Sequence, residues 1–177
     1  MNCRSNDLPL RTTRLRTGND APQFAWDARF ESLQTLPDVR VLIVDDFEPW
    51  SELVVSILEE HGGIEIVAVA SNGRDGVRKA VDLEPDVVLL DINLPDMNGF
   101  EAARLLQMLV ADSRIVFVSG QHSPGLARAA IAAGVLGYVA KSDALTELAA
   151  AIAAVSAGKM YMSAQLTAYR LFDDDKR

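Results

Sequence analysis

The chain has 177 residues, 49% hydrophobic and 24% charged, a balance that supports one buried core of ordinary domain size with some chain to spare and excludes a wholly disordered protein. No apolar run reaches the roughly 18 residues of a membrane span and no secretory h-region follows the N-terminus. The single Cys3 makes neither an internal disulfide nor a thiolate metal site, so the expectation is a cytoplasmic protein in which any metal has oxygen ligands.

The net charge of −8 is unevenly spread, with six basic and five acidic residues up to Arg40 and eleven and twenty beyond it. An acidic body argues against duplex DNA as a direct ligand, because affinity there comes mainly from Lys and Arg on phosphates. Residues 1–39 follow neither a period of 2 nor one of 3.6 and mix Arg4, Arg11, Arg14 and Arg16 with Asn, Thr, Asp, Gly and Pro. They read as a flexible leader. Phe24, Trp26 and Phe30, three aromatics within seven residues, leave open a short helix packed on the domain.

From Arg40 the pattern is regular. The run Val41–Val44 is too short for a helix and reads as a buried strand. Pro49 then opens a stretch in which Trp50, Leu53, Val54, Ile57 and Leu58 recur at steps of three and four until Gly62 and Gly63 close it, which is an amphipathic helix. The alternation continues with strand Ile64–Val69, helix Gly73–Leu83, strand Val87–Leu90, helix Phe100–Val110, strand Ile115–Val118 and helix Leu126–Ala133. Strand Leu136–Val139 and helix Ala144–Ala157 complete it. Five nearly all-apolar strands, each followed by a helix, predict an α/β fold with a doubly wound five-stranded parallel sheet. In such a sheet, ligands sit beyond the carboxyl ends of the strands, where the strand order reverses.

The residues at those ends are Asp45 and Asp46 after the first strand, Asp91 after the third, Ser119 after the fourth and Lys141 after the fifth. Carboxylates brought this close repel one another unless a cation intervenes, and a hard divalent ion such as Mg²⁺ suits oxygen ligands and a phosphate. A hydroxyl and an ammonium beside it make a site for a phosphoryl group. Any one of these residues alone has an ordinary explanation as a turn or cap residue; the five together in one alternation do not. His61 and His122 lack a second ligand at metal spacing, and Met160 and Met162 flanking Tyr161 read as packing or linker residues.

The pieces VLIVDD, VVLLDINLPDMNGFEAA, IVFVSG and GYVAKS together resemble the receiver domain of two-component response regulators, over roughly residues 40–158, with residues 159–177 as a linker-like tail. The resemblance implies a CheY-like (βα)5 fold with strand order 2-1-3-4-5. It implies Asp91 as phosphoacceptor from a phosphohistidine on a sensor histidine kinase or phosphotransfer protein. It places Mg²⁺ on Asp46, Asp91 and the backbone carbonyl of Asn93, with Asp45 acting through a coordinated water. It gives Ser119 and Lys141 the phosphoryl oxygens, and makes Ser119 and Tyr138 a switch that remodels the surface of helix 4, strand 5 and helix 5, through which a homodimer is plausible. Such a domain assists its own phosphorylation and dephosphorylation without turning over as an enzyme.

Ser142 stands where many receivers carry proline, and GYVAKSDALTELAAAIAAVSAGKMYMS is similar to the LuxR/NarL-type subgroup, whose helix-turn-helix domain does not fit into the 14 residues after Ser163. The expectation is therefore a chain that does not itself bind DNA, within a wider context that includes transcriptional control. Ser163–Phe172 reads as a short linker helix. Two alternatives remain: a degenerate receiver that docks or dimerises without phosphate, and a haloacid dehalogenase-type phosphatase, against which stands Asn93 where that family has its second carboxylate.

Overall fold

In the computed structural model, which describes residues 38–121 and 123–164, the apolar runs become β1 (Val39–Val44), β2 (Ile64–Ala70), β3 (Val87–Asp91), β4 (Arg114–Ser119) and β5 (Gly137–Ala140). They alternate with α1 (Glu48–Glu59), α2 (Gly73–Leu83), α3 (Gly99–Leu109), α4 (Pro124–Ala132) and α5 (Ala144–Ser156). The strands are parallel in the order β2-β1-β3-β4-β5. Because strands joined by helices are buried on both faces, their side chains feed two separate cores. Leu42, Val88, Leu90 and Phe117 meet Ala80 of α2, Leu106 of α3 and Ala127 of α4 on one side. Ile43, Leu89, Val118 and Val139 meet Leu58 of α1 and Leu148 and Ile152 of α5 on the other. This is the expected α/β doubly wound fold, and its order reverses between β1 and β3, which puts the crevice beside Asp45 and Asp91.

Helix starts follow the local chemistry. Pro49 lies in the first turn of α1, while the side chains of Asn72 and Asn98 accept backbone N–H bonds from Asp75 and Phe100 at 2.9 Å, capping α2 and α3. Asp91 and Ser119 prove to be the last residues of β3 and β4 rather than the first residues after them. Their backbones are thereby fixed by the ladder.

The five-stranded expectation needs one correction. A sixth strand, β6 (Tyr161–Met162), lies parallel to β5 and takes the sheet edge. The Tyr161 N–H donates to Leu136 O and the Ser163 N–H to Tyr138 O, both at 2.9 Å. Ser163 is fully buried, and its Oγ accepts the Ala140 N–H at 2.9 Å. Residues 161–163, grouped with a linker-like tail in the sequence, are thus part of the sheet. A two-residue strand is too short to display a period, so the sequence pattern could not announce it. The leader, His122 and the linker helix from residue 165 onward lie outside the described residues.

Removing the Ser163 hydroxyl strands a buried Ala140 N–H, so Ser163→Ala should lower stability by about 1–3 kcal/mol. Equilibrium urea unfolding checks this; an unchanged midpoint would mean that the Ser163 hydroxyl bond to Ala140 contributes nothing to the fold.

Candidate functional site

The ends of β1, β3, β4 and β5 deliver the groups of the crevice, β1 two of them. Asp45 directly follows β1, is only 2% exposed, and accepts the Phe47 N–H on Oδ1 at 3.0 Å. Asp91 ends β3 at 6% exposure, and its Oδ1 accepts the Asn93 N–H at 3.3 Å. Asp46 is exposed beside them, and one carboxylate oxygen from each of Asp45, Asp46 and Asp91 lies within 4.8 Å of the others. Lys141 opens a single 3₁₀ turn, Lys141–Asp143, after β5. Its long stem carries Nζ past β4 to Asp45 Oδ2 at 2.5 Å and Asp91 Oδ2 at 3.0 Å.

Electrostatics follows from this burial. The Asp45 carboxyl is held above the usual carboxylate range because burial outweighs the hydrogen bonds from Lys141 and the Phe47 N–H. Burial works against the Lys141 charge as well, yet the bonds to Asp45 and Asp91 prevail and raise its pKa. One ammonium thus faces three acids. That donor set fits a hard divalent cation, since it consists of carboxylate oxygens partly open to solvent and short of positive charge.

Ser119 is fully buried at the end of β4, and its Oγ accepts the Gln121 N–H at 3.1 Å. Tyr138, 1% exposed on β5, donates its hydroxyl to Gln121 O at 2.9 Å, so both side chains hold the β4–α4 loop. Burial is the main cause of a raised Tyr138 pKa. An open cavity of about 700 Å³ flanks Asp45 and Asp46 on the α1 side, with Glu48, Glu52 and Lys79 among its walls.

The structure thus brings Asp45, Asp46, Asp91 and Lys141 together and sets Ser119 and Tyr138 around one loop beside them, while Asn93 joins through its backbone. Sequence reasoning missed three contributors. Asp96 accepts the Gly73 and Arg74 N–H groups at 2.8 and 2.9 Å, tying the loop after Asp91 to the start of α2. The Arg74 N–H leads in holding its carboxyl below the usual range. Gln121 supplies the backbone groups that Ser119 and Tyr138 use. Trp50, read as an ordinary core-facing helix residue, lies under Lys141, with Nζ 4.6 Å from the ring centroid. A lone Asp, Gln or Trp carries no local signal for such long-range contacts.

Residues 41–153 match the response regulator receiver domain. The chain belongs to that family. Among relatives of this receiver, the response regulator GacA of Pseudomonas viridiflava is 34% identical over 128 residues, 72% of this chain and 60% of GacA. The chain therefore spans less than two thirds of that relative. A protein-glutamate methylesterase/protein-glutamine glutaminase of Carboxydothermus hydrogenoformans is 40% identical over 112 residues, 62% of this chain but 31% of the enzyme, so the likeness is confined to the receiver part. The crystal structure of a LuxR-family two-component response regulator from Aurantimonas sp. SI85-9A1 superposes with a TM-score of 0.75 at 29% identity, covering 78% of this chain and 99% of that one. No helix among the described residues of the receiver is long and apolar enough to cross a membrane.

Gly99 shows how tightly the acidic loop is wound. Its N–H donates to Ile92 O at 2.8 Å, and a Cβ there would stand 2.5 Å from Asp91 O and 2.6 Å from Ile92 Cα. Backbone cannot yield as a flexible side chain does. Gly99→Ala should cost about 2 kcal/mol of stability, measured by urea unfolding, and an unperturbed variant would show that this loop has slack.

Proposed function

We propose that the chain is a phosphorylatable receiver in which Asp91 accepts a phosphoryl group from a phosphohistidine of a sensor histidine kinase or phosphotransfer protein. The observation that carries this reading is the Lys141 ammonium bridging Asp91 and Asp45 across the strand ends. A buried acid that already faces a cation needs little reorganisation when negative charge builds beside it.

An oxygen of Asp91 attacks phosphorus, the N–P bond to the imidazole breaks, and the imidazole leaves, giving an acyl phosphate. The protein's own share of the work is alignment: β3 and the Asn93 N–H fix the Asp91 carboxylate. Lys141 turns toward an equatorial phosphoryl oxygen, and the Ser119 hydroxyl takes another. Asp45, Asp46, Asp91 and the Asn93 carbonyl would hold Mg²⁺, which supplies further neutralisation of the transferred group. The chain is a signalling module that accepts one phosphoryl group and loses it to water, which restores the Asp91 carboxylate and releases inorganic phosphate; it does not turn over as an enzyme.

Output follows from the loop that Ser119 and Tyr138 share. Drawing the Ser119 hydroxyl toward a phosphate moves the acceptor of the Gln121 N–H, and Gln121 O is the partner of the Tyr138 hydroxyl. The start of α4 and the outer face of β5 therefore shift together. The signalling surface is the one formed by α4, β5 and α5, where a homodimer or another partner reads the state; both states must differ in those contacts for phosphate to shift the balance. A cytoplasmic site of action and a role in transcriptional regulation accord with this reading, with the receiver running from β1 through β6 and Ser163, the residues before it as a leader and those after it as the outgoing segment.

Incubation with acetyl phosphate and Mg²⁺ should add one phosphoryl group by intact mass in the wild type, and none in Asp91→Asn or with EDTA. Lys141→Ala should be phosphorylated far more slowly. A wild type that gains nothing while binding Mg²⁺ would move the reading to a phosphate-independent docking module, after a trial with a histidine phosphodonor.

A further inference from the structure

We propose that Trp50 is a positioning residue for Lys141, holding its ammonium over the indole face while the carboxylates around it are engaged by the reaction. The inference rests on the phosphoacceptor reading of Asp91. Trp50 lies in the first turn of α1, half-buried and packed against the core that includes Val54, Leu58 and Val139, and Lys141 Nζ stands 4.6 Å from its ring centroid.

Lysine at this place lacks other restraint of the right kind. Its stem has four rotatable bonds, it leaves from a 3₁₀ turn with no proline, and it must extend past β4 to reach the acids. Its two ionic partners, Asp45 and Asp91, are the groups that the chemistry takes up, Asp91 by becoming an acyl phosphate and Asp45 by serving the cation site. The indole is not consumed by either event. Attraction to the ring quadrupole is strongest for Trp and strengthens when partly desolvated, and with one side of the ammonium toward the ring its three N–H donors still include some that can face oxygen acceptors. Lys141 can therefore turn a hydrogen from a carboxylate to a phosphoryl oxygen without leaving the ring. Because Trp50 is anchored in α1 and Lys141 follows β5, the contact also fixes the distance between those two sides of the crevice.

The test uses the full chain as wild type, Trp50→Phe, Trp50→Leu, Lys141→Ala and the Trp50→Leu/Lys141→Ala double variant. The first measurement is the phosphorylation rate constant with acetyl phosphate at saturating Mg²⁺. Trp50→Leu should slow it about five-fold and Trp50→Phe about two-fold. In the Lys141→Ala background the Trp50 change should do nothing further, because coupled residues are non-additive. The second measurement is the ε-methylene resonance of Lys141 in protein labelled at lysine, which is assignable because the chain has four lysines. It should lie upfield in the wild type from the ring current and return to the ordinary lysine position in Trp50→Leu.

Equal slowing by Trp50→Leu in both backgrounds, or a wild-type rate once the upfield shift is lost, overturns the proposal. If Trp50→Leu melts at a markedly lower temperature, Trp50→Phe carries the same comparison. A wild type that is not phosphorylated by acetyl phosphate or a histidine phosphodonor overturns the phosphoacceptor reading and this role with it. An intact upfield shift would then show that the failure lies in the chemistry, not in the contact.

Discussion

Two nearly buried carboxylates, Asp45 and Asp91, sit at the ends of neighbouring strands, and the fold is arranged so that one lysine pairs with both from the far side of β4. Unpaired, either acid would be driven to protonate or to open the crevice. The remaining geometry serves that pairing. The β1–β3 ladder sets the spacing of the acids, the close approach of Gly99 to Asp91 fixes the loop that follows, and Asp96 fastens that loop to α2 through two backbone donors. An acid held by backbone on one side and an ammonium on the other would keep its place through the proposed phosphoryl transfer.

Strand β5 connects this site to the rest of the molecule. Tyr138 bonds through its hydroxyl to the β4–α4 loop, its carbonyl accepts from Ser163, and the Ala140 N–H just before Lys141 donates to the Ser163 hydroxyl. The residue that supplies the cation and the residue that holds the loop are therefore both stitched to the segment leaving α5. A displacement of β5 large enough to re-aim Lys141 or Tyr138 must break or carry these bonds. Because breaking a buried bond leaves polar groups unsatisfied, carrying them is the cheaper course, and β6 would move with β5. In the proposed switch the outgoing chain would then be part of the moving unit as well as a tether.

How much of this was legible depended on whether the signal was local. VLIV and VVLL are short apolar runs that end in Asp, so they announced buried parallel strands, and Pro49 marked the start of α1 that the structure reproduces, whereas the Asn72 and Asn98 caps of α2 and α3 were found only in the structure. Asp45, Asp46, Asp91, Ser119 and Lys141 were legible because parallel topology sends every strand end to one edge, which turns a list of residues into a cluster. The topology could not reveal where each side chain points. Trp50 fitted the apolar stripe of α1 so well that nothing set it apart, although its ring also meets Lys141. Asp96 and Gln121 act through partners distant in the chain or through backbone atoms, neither of which a residue pattern records. β6 has two residues, below the length at which alternation exists.

The charge of the crevice decides how it must work. Asp45, Asp46 and Asp91 carry three negative charges against one from Lys141, and α1 beside them contributes Glu48, Glu52 and Glu59 with no basic residue. Such a field concentrates divalent cations and repels a phosphodonor approaching alone. Forming an acyl phosphate would increase the burden, since the Asp91 carboxylate gives way to a phosphoryl group of about two charges. Under the proposed phosphoacceptor reading, the excess acidity is therefore useful only if the site fills with positive charge before the donor arrives, and the ammonium would have to stay while its anionic partners are drawn away. A lysine held by ion pairs alone would follow those partners; one that also rests on an aromatic face in α1 has a reason to remain.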